Sequence, residues 1–255
     1  MKIYLLTLFP DFFAPFLKEG VVARAVEKGE VELSVINFRD FTQDKYHKVD
    51  DLPYGGGGGM VLQLGPIDRA YQSIPKEVRE IATPIIPTPR APRYDQAKAM
   101  ELARNEAIII ISGHYKGIDE RIFQLIPAER VSIGDYVLSG GELPSMIIME
   151  SIVRLIPRVL SDLDSALTDS FTYRDYLLGY PAYTRPESYK GLKVPQVLLG
   201  GNHAKIKRWR IKQALLATYK YRPELIDENR LSDEEKELLD EIKKEKPLDE
   251  RGRNV

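Results

Sequence analysis

The chain of 255 residues carries 37 Lys and Arg against 38 Asp and Glu, so it lacks the net positive charge of proteins that bind nucleic acid over their whole surface. It has no cysteine, which excludes disulfides, thiolate metal ligands and a cysteine nucleophile. The length suits one large domain or two modest ones. The apolar run at residues 3–9 is too short for a membrane span and has no small-residue cleavage site. We therefore expect a soluble, cytoplasmic protein without membrane contacts, whose first element is a β-strand.

Strand-like and helix-like patterns alternate over the first part of the chain. In order, the predicted elements are strand 3–9, helix 12–28, strand 31–38, a polar loop at 39–65, helix 67–74, strand 83–87, helix 94–104, strand 107–111, helix 117–126, strand 131–133 and helix 142–156. The unbroken β-branched run at 107–111 is typical of a strand buried on both faces. This alternation predicts an α/β fold with a parallel sheet covered by helices.

The pattern changes after residue 157. Residues 158–202 are rich in Ser, Asp, Tyr, Pro and Gly without a sustained period, which indicates a linker and ligand-contacting loops. From residue 203 the chain is helical again, with Ile211, Leu215 and Tyr219 on one helix face. An acidic stretch near the C-terminus predicts a surface helix with Ser232 as its N-cap.

Three of the predicted strands run into loops that suit ligand binding. Residues 88–92 contain two prolines, residues 112–121 contain two glycines, and residues 132–144 contain a glycine pair before a helix start. In an open α/β sheet, ligands bind outside the carboxyl ends of the strands, and glycines let a ligand approach the backbone closely. The sequence therefore predicts one pocket lined by all three loops.

Two of these segments carry a family resemblance. Residues 113–121 and 132–144 resemble the signature motifs of the bacterial TrmD-type tRNA (guanine-N1)-methyltransferases. Further matches run along the chain in the family's order, at residues 52–57, 169–171, 183–186, 194–199 and 201–203. Together these matches are specific for the family, although each one alone is not.

The resemblance implies a fold that strand and helix patterns do not predict. The family has the SPOUT-type parallel sheet, whose C-terminal part forms a trefoil knot, followed by a small helical C-terminal domain. We therefore expect a knotted S-adenosylmethionine-binding domain at 1–160, an interdomain linker at 161–180 and a helical tRNA-binding domain at 181–255. Because chains rarely thread through loops, pattern alone predicts an unknotted sheet. The family also forms homodimers in which each active site is shared between subunits.

The implied reaction transfers a methyl group from S-adenosylmethionine to N1 of the guanosine at tRNA position 37, next to the anticodon in the anticodon stem-loop. Because N1 must lose a proton, a carboxylate is the natural general base, and a guanidinium stabilises charge on the carbonyl oxygen of the guanine. By similarity these catalytic roles fall on Asp169 and Arg154. Without the resemblance, Asp169 is more simply a turn or N-cap residue and Arg154 an exposed residue near a helix C-terminus.

The resemblance also implies cofactor-binding residues in the three loops. They are Pro89, Gly113, Tyr115, Ile133, Gly134, Asp135, Tyr136, Val137, Leu138, Gly140, Gly141 and Pro144. Three residues depart from the family's usual pattern: Lys116 replaces a glutamate, Ala91 a glycine and Gly58 a proline.

The three histidines lie far apart in sequence, so we predict no transition-metal site. The family's behaviour suggests that a hydrated Mg²⁺ assists the reaction, at a position that the sequence does not give.

Local charge favours RNA binding despite the neutral total. Seven basic residues and no acidic ones occur between residues 203 and 222, namely Lys205, Lys207, Arg208, Arg210, Lys212, Lys220 and Arg222. Aromatic residues are interleaved with them, so this segment suits phosphates and splayed bases. The alternative is a solvated helix whose Trp209 anchors the core, and we expect Trp209 itself to be a core residue.

Two rival functions remain open. One is another nucleotide-binding α/β enzyme, although no Gly-x-Gly-x-x-Gly follows a predicted strand and the glycines at 55–59 lack the Gly-Lys-Ser/Thr ending of a phosphate-binding loop. The other is a non-catalytic RNA-binding module in which Asp169 only caps a turn. Affinity for S-adenosylmethionine distinguishes both from a methyltransferase.

Overall fold

The chain divides into two compact units, Met1–Ser161 and Asp162–Val255. The computed structural model of the protein describes residues 1–160, 168–174 and 176–245. The start of the predicted linker, residues 161–167, lies outside the described residues, as does the end of the predicted C-terminal domain, residues 246–255. The predicted domain boundaries therefore stay predictions. No helix in the described ranges is long and apolar enough to cross a membrane.

The first unit is built on a parallel sheet. Its strands, in chain order, are β1 (Lys2–Thr7), β2 (Glu32–Asn37), β3 (Asp50–Asp51), β4 (Val61–Leu62), β5 (Ala82–Pro87), β6 (Ala107–Ile111) and β7 (Glu129–Val131). Five of them form the sheet in the order β2-β1-β6-β5-β7, and every pairing in it is parallel. Ile110 at its centre lies opposite Leu5 on one side and Ile85 on the other. The predicted parallel α/β sheet is confirmed.

Strand β6 divides the apolar core into two layers. All five of its residues are buried. Ile108 and Ile110 face one layer, whereas Ala107, Ile109 and Ile111 face the other. Because side chains alternate across a strand, an unbroken apolar run serves both layers only when helices cover both faces of the sheet.

Helices cover both faces. In chain order they are α1 (Gly20–Glu27), α2 (Leu64–Gln72), α3 (Lys76–Ile81), α4 (Gln96–Leu102), α5 (Ile122–Leu125) and α6 (Glu142–Val153). Helix α6 packs against α1 and α4, and these three helices contribute to the layer that contains Ile108. Helices α2, α3 and α5 contribute to the opposite layer.

The predicted helix at 12–28 is wrong in its first half. A 3₁₀ helix spans Pro10–Phe12, the next residues form turns, and the α-helix begins only at Gly20. Pro15 explains the difference, since proline in a helix interior removes a hydrogen-bond donor and clashes with the preceding turn. Phe13 nevertheless reaches the core and is fully buried.

The predicted helix at 117–126 is much shorter in the structure, where α5 has only four residues. The residues before it pair instead with β4. Leu62 N donates to Gly117 O at 2.9 Å, and Asp119 N donates to Leu62 O at 3.0 Å. The predicted polar loop at 39–65 likewise contains an antiparallel pairing of β3 with β4. Long-range backbone pairing thus prevails over local helix preference here.

The second unit has its own small core. Its elements are β8 (Ser188–Tyr189), β9 (Leu192–Lys193), α7 (Gln196–Leu199), α8 (His203–Tyr221), a 3₁₀ helix (Pro223–Leu225) and α9 (Asp233–Glu245). Ile211 and Leu215 of α8 pack with Leu238 and Leu239 of α9. Helix α8 begins at the predicted residue, where the Asn202 side chain accepts from Lys205 N at 3.1 Å.

Two predictions for this unit had opposite outcomes. Ser232 does cap α9: its hydroxyl accepts from Glu235 N at 3.4 Å, and the Glu235 carboxylate accepts from Ser232 N at 2.8 Å. This reciprocal pair is a capping box. Trp209, expected in the core, is only half-buried, and its ring lies 6.2 Å from that of Tyr183. Smaller aliphatic residues fill the core instead.

Candidate functional site

A cavity of about 290 Å³ lies at the carboxyl ends of β5, β6 and β7. These three strands follow one another in the chain and lie side by side in the sheet, with β5 between β6 and β7, so their ends meet along one edge. The loops that follow all three strands line the cavity. The predicted pocket of three loops is thereby confirmed.

Backbone hydrogen bonds hold these loops together. Ser132 N donates to Pro92 O at 2.9 Å, and Tyr94 N donates to Ser132 O at 2.7 Å, which joins the loop after β7 to the loop after β5. The loop after β7 is also joined to the loop after β6, because Gly141 N donates to Gly113 O at 2.6 Å. The cavity wall is therefore fixed at both of its ends by main-chain contacts.

Gly141 is required by this close approach. A Cβ at this position would lie 2.8 Å from Gly113 N and 2.9 Å from the Cα of Ser112. Both are backbone atoms, which cannot move aside as a flexible side chain can. The glycine was predicted to let the cofactor approach the backbone, and the structure adds that it lets α6 begin directly against the end of β6.

A buried polar cluster lies beside this junction. Glu142 is only 4% exposed, and one oxygen of its carboxylate accepts from the Thr7 hydroxyl at 3.0 Å. Its other oxygen is 3.6 Å from Nδ1 of His114, a buried atom without a hydrogen-bond partner among the described residues. The rings of Phe9 and Tyr115 flank the imidazole at 4.9 and 4.7 Å. This cluster ties β1 to the cavity loops.

Sequence reasoning missed the cluster. Glu142 was predicted only as a first-turn residue of the helix, which it is. Thr7 lies 135 positions away and ends a strand, so no local pattern links the two residues. A buried carboxylate needs hydrogen-bond donors, and only the folded chain shows which residues supply them.

The rim of the cavity carries a group of charges. The Glu120 carboxylate accepts from Arg130 at 2.5 Å and from Arg90 at 2.9 Å. The hydrogen bond from Arg130 lowers the pKa of Glu120, and the charge of Arg90 acts in the same direction. Lys116 also lines the cavity. Three cations against one carboxylate favour an anionic group of a ligand at this rim.

The structure brings most of the predicted cofactor-binding residues together. Those that line the cavity are Pro89, Gly113, Tyr115, Ile133, Gly134, Tyr136, Val137, Leu138, Gly140, Gly141 and Pro144. Asp135 is not among the lining residues. It forms an exposed ion pair with Arg93 instead, and the hydrogen bond that Arg93 donates to Asp135 raises the pKa of Arg93. The binding roles themselves stay predictions.

The two predicted catalytic residues lie in different units. Arg154 is the half-buried C-cap of α6, and its backbone N donates to Glu150 O at 3.1 Å. Asp169 belongs to the second unit, where its backbone O accepts from Tyr173 N at 2.8 Å. Asp169 therefore begins a turn, and both catalytic roles stay predictions.

The basic segment of the second unit is partly neutralised. Arg208 contacts Glu234 at 3.2 Å and Glu241 at 3.4 Å, whereas Lys212 contacts Glu241 at 3.0 Å and Glu245 at 3.1 Å. The acidic surface helix predicted from the sequence thus packs as α9 against the basic helix α8. Hydrogen bonds from Lys212 lower the pKa of Glu241, and this contact in turn raises the pKa of Lys212.

Other cations of α8 are not neutralised in this way. Lys205, Lys207 and Arg210 are exposed and have no ion pair within residues 168–174 and 176–245 or the rest of the described chain. The guanidinium of Arg210 stacks 4.8 Å from the centre of the Tyr180 ring. Two of the predicted seven thus hold α9 and three remain available to a partner, whereas Arg222 pairs with Glu224 and Lys220 lies over the Tyr221 ring.

The fold is that of an α/β protein with a cavity at the carboxyl ends of three parallel strands, where open sheets of this class bind ligands. The profile of the family described as tRNA (Guanine-1)-methyltransferase TrmD matches residues 1–228 of this chain. Relatives named tRNA (guanine-N(1)-)-methyltransferase support the match. One from Lactobacillus helveticus is 47% identical over 96% of this chain and 99% of its own length. Those from Sulfurihydrogenibium sp. and Bacillus cereus are 50% and 49% identical, over 94% and 96% of this chain and 92% and 100% of their own. The chain belongs to this family and is a methyltransferase.

We expect Gly141→Ala to disturb the cavity wall, because its methyl group meets backbone atoms of the loop after β6. Overpacking of this kind costs about 1–3 kcal/mol of unfolding free energy, measured by urea unfolding. Gly58→Ala is the matched control, since no described atom lies within 4 Å of a Cβ at that position. Equal unfolding free energies for wild type and Gly141→Ala would contradict the close approach.

Proposed function

We propose that the protein transfers a methyl group from S-adenosylmethionine to N1 of the guanosine at position 37 of tRNA, next to the anticodon, in the cytoplasm. The observation that carries the proposal is the cavity whose wall is the backbone of three loops at one edge of the parallel sheet. Relatives that match nearly the whole chain are named tRNA (guanine-N(1)-)-methyltransferase, which supports the class of reaction.

The cavity suits S-adenosylmethionine. Its volume of about 290 Å³ is near the lower end for small-molecule sites, and such sites combine apolar walls with a few polar groups. Ile133, Leu138 and Pro144 provide apolar surface for an adenine ring, while the glycine-bearing loops offer backbone donors and acceptors to its edge. When bound, S-adenosylmethionine supplies a methyl group on a sulfonium, an electrophile that the protein need not activate.

The charged rim suits the amino-acid tail of the same molecule. Arg90, Arg130 and Lys116 are candidates to hold its carboxylate, because guanidinium and ammonium groups pair well with carboxylates. Glu120 is the acidic group of the rim and is the candidate to receive the ammonium group. This assignment matters because Lys116 stands where the family usually has a glutamate, so that the acidic role must fall on another residue.

Two residues of the chain act on the guanine in this proposal. Asp169 accepts the proton that leaves N1, which is the task of a general base. Arg154 stabilises the negative charge that builds on the carbonyl oxygen of the guanine as the proton leaves. The half-buried position of Arg154 at the end of a core helix favours a fixed guanidinium. A hydrated Mg²⁺ would assist the reaction and would keep most of its water ligands, as this ion does in most sites.

The proposal includes the trefoil knot and a homodimer with shared active sites. The hydrogen bonds that fasten residues 132–141 across two other loops support the knot. Exposed apolar side chains on α6 support the dimer. Ile148 and Met149 lie in the core, yet Leu143 and Ile147 are each 48% exposed one turn apart. A second copy would cover these exposed apolar side chains.

The proposed RNA contacts come from the available cations of α8. Lys205, Lys207 and Arg210 suit the phosphates of the anticodon stem-loop, and the half-exposed ring of Trp209 suits an unstacked base. A non-catalytic RNA-binding module would use the same surface. It would not explain a glycine-lined cavity in the other unit, which is why we favour the enzyme.

Methyl-labelled S-adenosylmethionine and an unmodified tRNA transcript test the reaction directly. We expect the label in N1-methylguanosine at position 37 after nucleoside mapping. Asp169→Asn keeps the shape of the side chain but removes the base, so single-turnover methyl transfer should fall ~10²-fold or more. Calorimetric affinity for S-adenosylmethionine should not change. Label in another nucleoside would contradict the proposed reaction. Near-normal methyl transfer by Asp169→Asn would contradict the role of Asp169 as the general base.

Charge removal tests the RNA surface. The variant Lys205→Gln/Lys207→Gln/Arg210→Gln should bind tRNA more weakly and with a smaller salt dependence, by roughly 0.7 in log–log slope for each lost contact to a single-stranded phosphate. Arg208→Gln/Lys212→Gln is the matched control, because these cations already contact α9 carboxylates. If the triple variant binds tRNA like the wild type at every salt concentration, the phosphates are held elsewhere.

A further inference from the structure

The residues around Asp169 form a closed turn. Asp169 O accepts from Tyr173 N at 2.8 Å and from the Thr172 hydroxyl at 3.0 Å. Phe171 N donates to Leu177 O at 2.8 Å, and Gly179 N donates to the Ser170 hydroxyl at 2.9 Å. We call residues 169–179, of which the structure describes all but residue 175, the Asp169 turn. Its local conformation is fixed by bonds at both ends.

One side of the Asp169 turn is anchored to α8. Leu177 is fully buried in the core of the second unit, together with Ile211 and Leu215. The next residue, Leu178, donates its N–H to the Thr218 hydroxyl at 3.0 Å. Thr218 is itself buried and donates to Ala214 O within α8 at 2.8 Å. The end of the turn is thus held by a core helix.

The middle of the turn is anchored to α9 by a charge pair. Arg174 donates to one carboxylate oxygen of Glu235 at 2.7 Å. The other oxygen accepts from the N–H and the hydroxyl of Ser232 at 2.8 and 2.7 Å. Glu235 is only 2% exposed. Burial raises the pKa of Glu235, but the hydrogen bonds from Ser232 and the charge of Arg174 outweigh it and hold the pKa below its ordinary value.

The two oxygens of Glu235 therefore have separate tasks. The capping box of α9 uses only the oxygen that faces Ser232. The contact with Arg174 adds nothing to the cap, yet it fixes a residue whose backbone φ of 52° is uncommon for a side-chain-bearing residue. Such a conformation persists where surrounding contacts determine it.

We propose that Glu235 is a positioning residue for methyl transfer, which acts through Arg174 to hold the Asp169 turn. The inference rests on the proposed role of Asp169 as the base. Without the charge pair, Arg174 can leave its uncommon conformation, and the turn that begins at Asp169 loses a polar attachment to α9, although Leu177 still packs in the shared core. A small displacement of a catalytic group lowers the rate of the chemical step without removing the groups that bind the ligands.

Three variants separate positioning from folding. Arg174→Met keeps a long side chain but removes the guanidinium, and Arg174→Lys restores a cation. Glu235→Gln keeps an oxygen for the capping box, in which Gln also serves, but removes the charge. Lys243→Met is the matched control, because it breaks an exposed ion pair between α9 and Glu228, and neither residue forms a hydrogen bond or ion pair with the described residues of the turn.

The measurement is single-turnover methyl transfer with saturating S-adenosylmethionine and tRNA, alongside both dissociation constants and urea unfolding. We expect Arg174→Met and Glu235→Gln to slow transfer about tenfold or more, with dissociation constants near the wild-type values and the proteins folded under assay conditions. Arg174→Lys should recover much of the rate, and Lys243→Met should behave as the wild type. In an Asp169→Asn background, Arg174→Met should cause little further loss, since both changes act on one group.

The outcomes distinguish the positioning role of Glu235 from the proposed role of Asp169 as general base. If Arg174→Met and Glu235→Gln transferred methyl groups at the wild-type rate while Asp169→Asn was slow, only the positioning role of Glu235 would be overturned. A rate loss that only follows the unfolded fraction would overturn it as well. If Asp169→Asn transferred methyl groups at the wild-type rate, the role of Asp169 as general base would be overturned, and the positioning role of Glu235 with it. Full additivity of Arg174→Met with Asp169→Asn would show that the charge pair acts on something other than Asp169.

Discussion

The close contact between Gly141 and Gly113 is the constraint on which the first unit depends. The hydrogen bond of 2.6 Å between their backbones sets the start of α6 against the end of β6. Three consequences follow from this one contact. The loop from β7 must cross to β6 and so walls a cavity, α6 runs directly into the core, and the first residue of α6, Glu142, is buried. Only glycine leaves room for the contact.

The second unit depends on charge in a different way. The chain as a whole is nearly neutral, with 37 basic and 38 acidic residues, but α8 has basic residues and no acidic ones, whereas most charged residues of the neighbouring α9 are acidic. Helix α9 supplies carboxylates that hold Arg208 and Lys212 of α8, and the buried Glu235 that holds Arg174. The cations that remain exposed are therefore a selected subset, which total charge does not reveal.

The sequence predicted what depends on short-range pattern. The β-branched run of β6, the glycine-bearing loops after three strands and the start of α8 at Asn202 all follow from local residue preferences. The turns before α1 were missed because the predicted helix ran through Pro15, which disfavours a helix interior. The loss of most of the helix at 117–126 depends on pairing with Leu62, which is distant in the chain.

For the candidate site, the loops were predictable and the side-chain contacts were not. The link between Thr7 and Glu142 spans 135 positions, and the Arg174–Glu235 pair spans 61, so neither leaves a local signal. Strand and helix patterns predict an unknotted sheet, and the knot is expected only through the family resemblance. The roles of Asp169 and Arg154 rest on that resemblance too, because an aspartate in a turn and an arginine at a helix end have simpler explanations.

The most direct test of the account is a crystal structure of the protein grown with S-adenosylmethionine. The account predicts density for the ligand inside the cavity at the carboxyl ends of β5, β6 and β7, with its adenine against residues 133–141 and its carboxylate at the rim of Arg90, Lys116 and Arg130. Density for the ligand elsewhere on the protein, with this cavity free of it, would contradict the account.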